Sequence, residues 1–140
     1  MAYHQPVPPP APPTARPTPA FVGASWAALL LGIVTFGIGL WNADLQLSEK
    51  GFFAVLLVLG AFGAVSLQKS VRDRAEGIPV SGLYLGLAWG VVGFSVVMLA
   101  VGLVNSSMTL SEKGFYGLAF AMTLFAVIAV QKNVRDALRS

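Results

Sequence analysis

The chain contains no cysteine, a single histidine and few charges. Lack of cysteine excludes disulfides, thiolate metal sites and a cysteine nucleophile. The one histidine, His4, stands in a proline-rich stretch at the start of the chain. A haem held by paired histidines is therefore excluded, and no metal site is expected. Charged residues make up 11% of the 140 while hydrophobic residues make up 56%. Soluble domains carry about 25% charged residues, so a water-facing surface of ordinary composition cannot be built here. Nine basic residues spread over the chain, with a net charge of +3, do not form a nucleic-acid patch. No glycine-rich phosphate loop, serine–histidine pair or carboxylate pair at catalytic spacing is present. The expectation is a small membrane protein that is not an enzyme, holds no cofactor and binds no nucleic acid.

What is present is organised in two parts. Gln5 to Pro19 reads QPVPPPAPPTARPTP, which cannot be helical, because proline lacks the donor and clashes with the preceding turn. Residues 1–20 are expected to be a disordered tail of polyproline II character, serving as a spacer. From Phe21 the chain alternates apolar runs with short charged connections. The runs are Phe21 to Trp41, Gly51 to Leu67, Leu83 to Val104 and Gly114 to Val130. Their lengths suit a hydrocarbon layer about 30 Å thick, and terminal lysines can snorkel where a run is short. None has a polar stripe to turn toward water, which excludes a soluble bundle. The predicted fold is an all-α membrane protein with four transmembrane helices arranged as two helical hairpins.

Basic residues set the expected orientation. Arg16 in the tail, Lys69, Arg72 and Arg74 in the middle connection, and Lys132, Arg135 and Arg139 near the last residue all fall on one side. The other two connections carry only Lys50 and Lys113. Lysine and arginine concentrate on the cytoplasmic side, so both termini and the middle connection are predicted to be cytoplasmic.

The two halves repeat at an offset of 63 residues. Leu47-Ser48-Glu49-Lys50-Gly51-Phe52 returns unbroken as Leu110-Ser111-Glu112-Lys113-Gly114-Phe115, and Gln68-Lys69 with Val71-Arg72-Asp73 returns as Gln131-Lys132 with Val134-Arg135-Asp136. Each unit holds two spans, so the copies share one orientation and the repeat is parallel. Units of 21–77 and 78–140 follow. With Gly39 to Ala43 and Glu76 to Pro79, these motifs resemble the YiaA/YiaB family of bacterial inner-membrane proteins over about Phe21 to Asp136. The resemblance implies a plasma-membrane protein with two copies of a two-helix domain. It brings no catalytic, cofactor-binding or metal-binding residues with it.

Each repeated motif has a structural reading. Ser48 and Ser111 stand where a helix N-cap is expected, with Leu47–Phe52 and Leu110–Phe115 at hydrophobic-staple spacing. Glu49 and Glu112 then fall in the first turn, where the helix dipole favours negative charge. The functional alternative is that Glu49–Lys50 and Glu112–Lys113 face each other and bind an ion or a partner. Lys69, Arg72 and Asp73, with Lys132, Arg135 and Asp136, are expected to anchor the second and fourth helices at anionic headgroups. Gly82, Gly86 and Gly90 put three side-chain-free positions on one face of the third helix, which suits close helix packing in lipid. No ionisable side chain lies well inside a span, where transporters place theirs. Two functions follow as expectations. One is a structural or accessory protein acting through helix–helix contacts with itself or other membrane proteins. The other is a small oligomeric channel or carrier for a neutral or hydrophobic solute, with Ser25, Thr35, Ser66, Ser95 and Thr123 as its polar path.

Overall fold

A computed structural model describes residues 3–8 and 16–138. Residues 3–8 and 16–18 have no regular secondary structure; the rest of the proline-rich run, 9–15, and Arg139 lie outside the described residues. The chain then forms four helices, α1 (Pro19–Asn42), α2 (Leu47–Ala75), α3 (Gly82–Val104) and α4 (Leu110–Leu138). No strand occurs among the described residues. All four helices are long and apolar enough to cross a membrane.

Helix α1 begins two residues before the apolar run, because Thr18 caps it and Pro19 occupies the first turn. Proline is tolerated there, where its missing N–H would have had no intrahelical partner. Helices α2 and α4 run well past their apolar segments. From Leu67 to Ala75, α2 adds about 12 Å at 1.5 Å per residue, carrying the Lys-x-x-Arg-Asp motif beyond its apolar segment. It ends in a Schellman motif: Gly77 is left-handed at φ 78°, its N–H donates to the Arg74 carbonyl, and the Ile78 N–H donates to the Asp73 carbonyl at 2.8 Å. Ser81 then starts α3 by accepting from the Tyr84 N–H at 3.1 Å.

The repeats pack crosswise. Helix α1 lies mainly along α4 and α3 along α2, while α2 and α4 meet at the centre; α1 touches α2 little, and α3 touches α4 little. Two-helix hairpins in sequence are thus interlocked in space, each first helix seated on the other repeat's second helix. Close approaches follow the same pseudo-twofold exchange. A Cβ at Gly39 would come within 2.7 Å of the Phe115 ring, and one at Gly102 within 2.7 Å of the Phe52 ring. Gly32 crosses α4 against Thr123, and Gly60 meets Ser95 and Phe120. Phe36, Phe53, Tyr116 and Phe120 fill the core between them, with Phe36 edge-on to Tyr116 at 5.4 Å. Large apolar residues such as Leu30, Val55, Phe62, Leu87 and Leu118 point outward and are exposed. That surface is insoluble in water and suited to lipid.

Candidate functional site

The repeated Lys-x-x-Arg-Asp motifs meet at one end of the bundle. Lys69 Nζ lies 2.9 Å from Asp73 and Lys132 Nζ 2.9 Å from Asp136, each within its own helix. The arginines reach across: Arg72 pairs with Asp136, and Arg135 with Asp73 at 2.5 Å. Glu76 joins both halves, accepting from Arg72 Nε at 2.8 Å and from Arg135 at 2.7 Å. Four cations therefore surround three carboxylates. Asp73 is only 6% exposed, and a carboxylate so placed is stable only when paired and hydrogen-bonded. Charge-assisted arginine pairs supply that and tie α2 to α4.

This arrangement corrects part of the anchoring expectation. Arg72 and Arg135 keep 23% and 19% of their side-chain exposure because both are drawn inward by the opposite repeat's aspartate. Lys69 and Lys132, at 56% and 50%, stay exposed while paired along their own helices. Beneath the clasp, Asn133 Nδ2 donates to Ser25 Oγ at 3.1 Å, joining α4 to α1. The Asn133 Oδ1 has no partner among the described residues, and the residue is 2% exposed.

At the opposite end, the expected caps shift. Helix α4 opens at Leu110, and Thr109 Oγ1 accepts from the Glu112 N–H at 3.2 Å while its hydroxyl donates to the Glu112 carboxylate at 3.1 Å. Thr109 is therefore the cap, and Ser111 lies in the first turn. Helix α2 is capped at Gln46 without a side-chain bond, which places Ser48 in the first turn too. The staples do not form: Leu47 and Leu110 are each 85% exposed. Met108 is buried instead, with Leu45 packed against the same core. No ion pair joins Glu49 or Lys50 to Glu112 or Lys113 among the described residues. Lys50 Nζ donates to the Trp41 carbonyl at 3.0 Å and so closes the end of α1. Glu49 and Glu112 do stand in the first turns.

Gly82, Gly86 and Gly90 lie on the outside of α3, and a Cβ at any of them would meet no atom within 4 Å. Inside the four-helix unit the close crossings use Gly32, Gly39, Gly60, Gly63 and Gly102 instead. Four of the five hydroxyls named for a polar path bond to local carbonyls. Ser25 donates to the Val22 carbonyl, Thr35 to Leu31, Ser95 to Val92 and Thr123 to Ala119, all within their own helices. Among the described residues no group of histidine, aspartate or glutamate side chains is placed to hold a metal ion.

Sequence reasoning missed Glu76, Thr109, Ser25 and Asn133 as partners. Glu76 was legible as the residue four after Arg72, and Thr109-x-x-Glu112 as a capping box. The Ser25–Asn133 contact spans 108 residues and has no local signature.

A family model described as the yiaA/B two helix domain matches residues 21–73 and 84–136. The chain is 56% identical over 120 residues to the inner membrane protein YiaA of Escherichia coli (strain K12), covering 86% of this chain and 83% of that one. It is 44% identical over 62 residues to the membrane protein YubF of Bacillus subtilis (strain 168), covering 44% of this chain and 71% of that protein. No solved structure matches it.

Proposed function

The chain belongs to the YiaA/YiaB two-helix family of inner-membrane proteins, and we propose that it is an accessory membrane protein acting by helix–helix association through the outer face of α3. The observation that carries this reading is the unused glycine stripe. The bundle's own crossings consume other glycines, leaving Gly82, Gly86 and Gly90 facing open space. A second helix, from another copy or another membrane protein, can approach that face to backbone distance, where dispersion and weak Cα–H contacts accumulate. The channel reading draws no comparable support, because Ser25, Thr35, Ser95 and Thr123 satisfy their hydroxyls on local carbonyls. The basic clasp end, with both termini, faces the cytoplasm in this reading. Catalysis has no part in it.

Crosslinking and co-purification from native membranes test the proposal, with the parent chain beside a Gly86→Leu, Gly90→Leu variant. A Cβ at either position meets no atom within 4 Å, so the four-helix unit is expected to stay folded, which thermal unfolding of the variant checks. A defined oligomer or complex in the parent, lost in the variant, is the expected result. A lone monomer in both would overturn it.

A further inference from the structure

Because α1 lies on α4 and not on α2, the covalent hairpin α1–α2 is splayed along its length. The resulting cleft follows one face of each helix. Its inner section, about 320 Å³, lies between Ile33 of α1 and Leu57, Ala61 and Val65 of α2, and is floored by Val127 of α4. One turn onward along both helices lies a second hollow of about 650 Å³, between Gly37 and Trp41 on one wall and Gly51 and Ala54 on the other. Lys50 stands at that mouth. Among the described residues its ammonium has no carboxylate partner, and it spends one donor on the Trp41 carbonyl, which holds it across the α1–α2 connection beside an exposed indole. The cleft therefore presents hydrocarbon at membrane depth and a single oriented cation at headgroup depth. From Lys50 to Gly60 is about 15 Å of helix, half of a hydrocarbon layer about 30 Å thick.

We infer that this cleft holds one phospholipid of the leaflet at the hairpin-connection end, its acyl chain between α1 and α2 and its phosphate on Lys50. The second repeat supplies an internal control. Val104 stands where the first repeat has Trp41, and Lys113 has no bond equivalent to that of Lys50 among the described residues, so its mouth lacks both the fixed cation and the indole. A lipid bound there has only the apolar walls.

Native mass spectrometry of the full chain, purified in mild detergent and supplied with a defined mixture of phosphatidylglycerol and phosphatidylethanolamine, reads the occupancy directly. Four proteins decide the outcome: the parent chain, Lys50→Gln, Lys113→Gln, and Gly37→Leu with Gly51→Leu. A Cβ at either glycine meets no atom within 4 Å, so leucines there are expected to enter the hollow that the two residues line. One phospholipid is expected on the parent and on Lys113→Gln, with a several-fold lower occupancy in Lys50→Gln and in the filled-cleft variant. Unchanged thermal unfolding in lipid-free detergent shows that those two variants are folded. Equal retention in all four would overturn the inference, as would equal loss in Lys50→Gln and Lys113→Gln. A dimer that disappears when the cleft is filled, with no lipid bound in the parent, would assign the cleft to a second copy instead and overturn it as well.

Discussion

Asn133 is the residue whose chemistry is least complete. Its amide reaches Ser25 across the α1–α4 interface, yet its carbonyl oxygen is buried without a partner. A polar pair half-satisfied in this way holds register more than it adds stability. Ser25→Ala removes the acceptor and leaves the amide stranded, so it should lower stability by about 1–2 kcal/mol. Ser25→Ala combined with Asn133→Leu removes both polar groups and should recover most of that loss in thermal unfolding in detergent. Additive losses would show instead that packing, not hydrogen bonding, sets the cost. A similar logic applies to the clasp. Arg72→Asp brings a third carboxylate to Asp136 and Glu76, and should lower the melting temperature by several degrees; adding Asp136→Arg reverses the pair and should restore part of it. Failure of the swap to recover anything would mean that Arg72 acts through Glu76 alone. At this scale the sequence is half legible. Lys69–Asp73 follows from a spacing of four, whereas Arg72–Asp136 joins two helices 64 residues apart and no local rule proposes it.

Helices were the most legible feature, since uncharged runs about as long as a membrane is thick have few other uses. Their ends were less so, because Thr109 and Ser111 both suit a cap and only backbone geometry separates them. Thr109→Ala should therefore destabilise the start of α4 by about 1 kcal/mol, while Ser111→Ala should be nearly silent; amide exchange at Glu112 and Lys113 reads the difference. The glycines show the same limit. Spacing of four singled out Gly82, Gly86 and Gly90, but which stripe faces protein depends on how the helices are paired. Gly32→Leu pushes a side chain into Thr123 and the α4 backbone 3.3 Å away, and overpacking of this kind costs about 1–3 kcal/mol. Gly86→Leu should leave unfolding of the monomer unchanged. Equal destabilisation by the two substitutions would refute the crosswise pairing of helices from which this difference is derived.

For the molecule as a whole, duplication has produced two hairpins that are complementary, not merely alike. The repeat was plain in the sequence, but its consequence was not, because hairpins in most bundles pack on themselves. Here α1 crosses α4 with Gly32 against Thr123, and α3 crosses α2 with Ser95 against Gly60. At these two contacts one glycine meets one hydroxyl residue, with the Phe120 ring also against Gly60. A second repeat meeting its own copy would set Ser95 against Thr123, two side chains where the full chain has room for one. A first repeat meeting its own copy would set Gly32 against Gly60 and leave a gap. Both mismatches favour the mixed pair, and neither hairpin has much contact between its own helices to stand on. Residues 1–78 and 79–140 produced together should accordingly recover a stable one-to-one complex, whereas each alone should associate weakly. Thr123→Gly in the isolated 79–140 segment rebuilds at its self-crossing the Ser95–glycine contact of the intact chain. That single change should convert it into a homodimer detectable by crosslinking in detergent. If the unaltered segment already dimerises as firmly as the mixed pair forms, the Gly–hydroxyl complementarity does not select partners, and the interlock is held by the arginine clasp and the aromatic core alone.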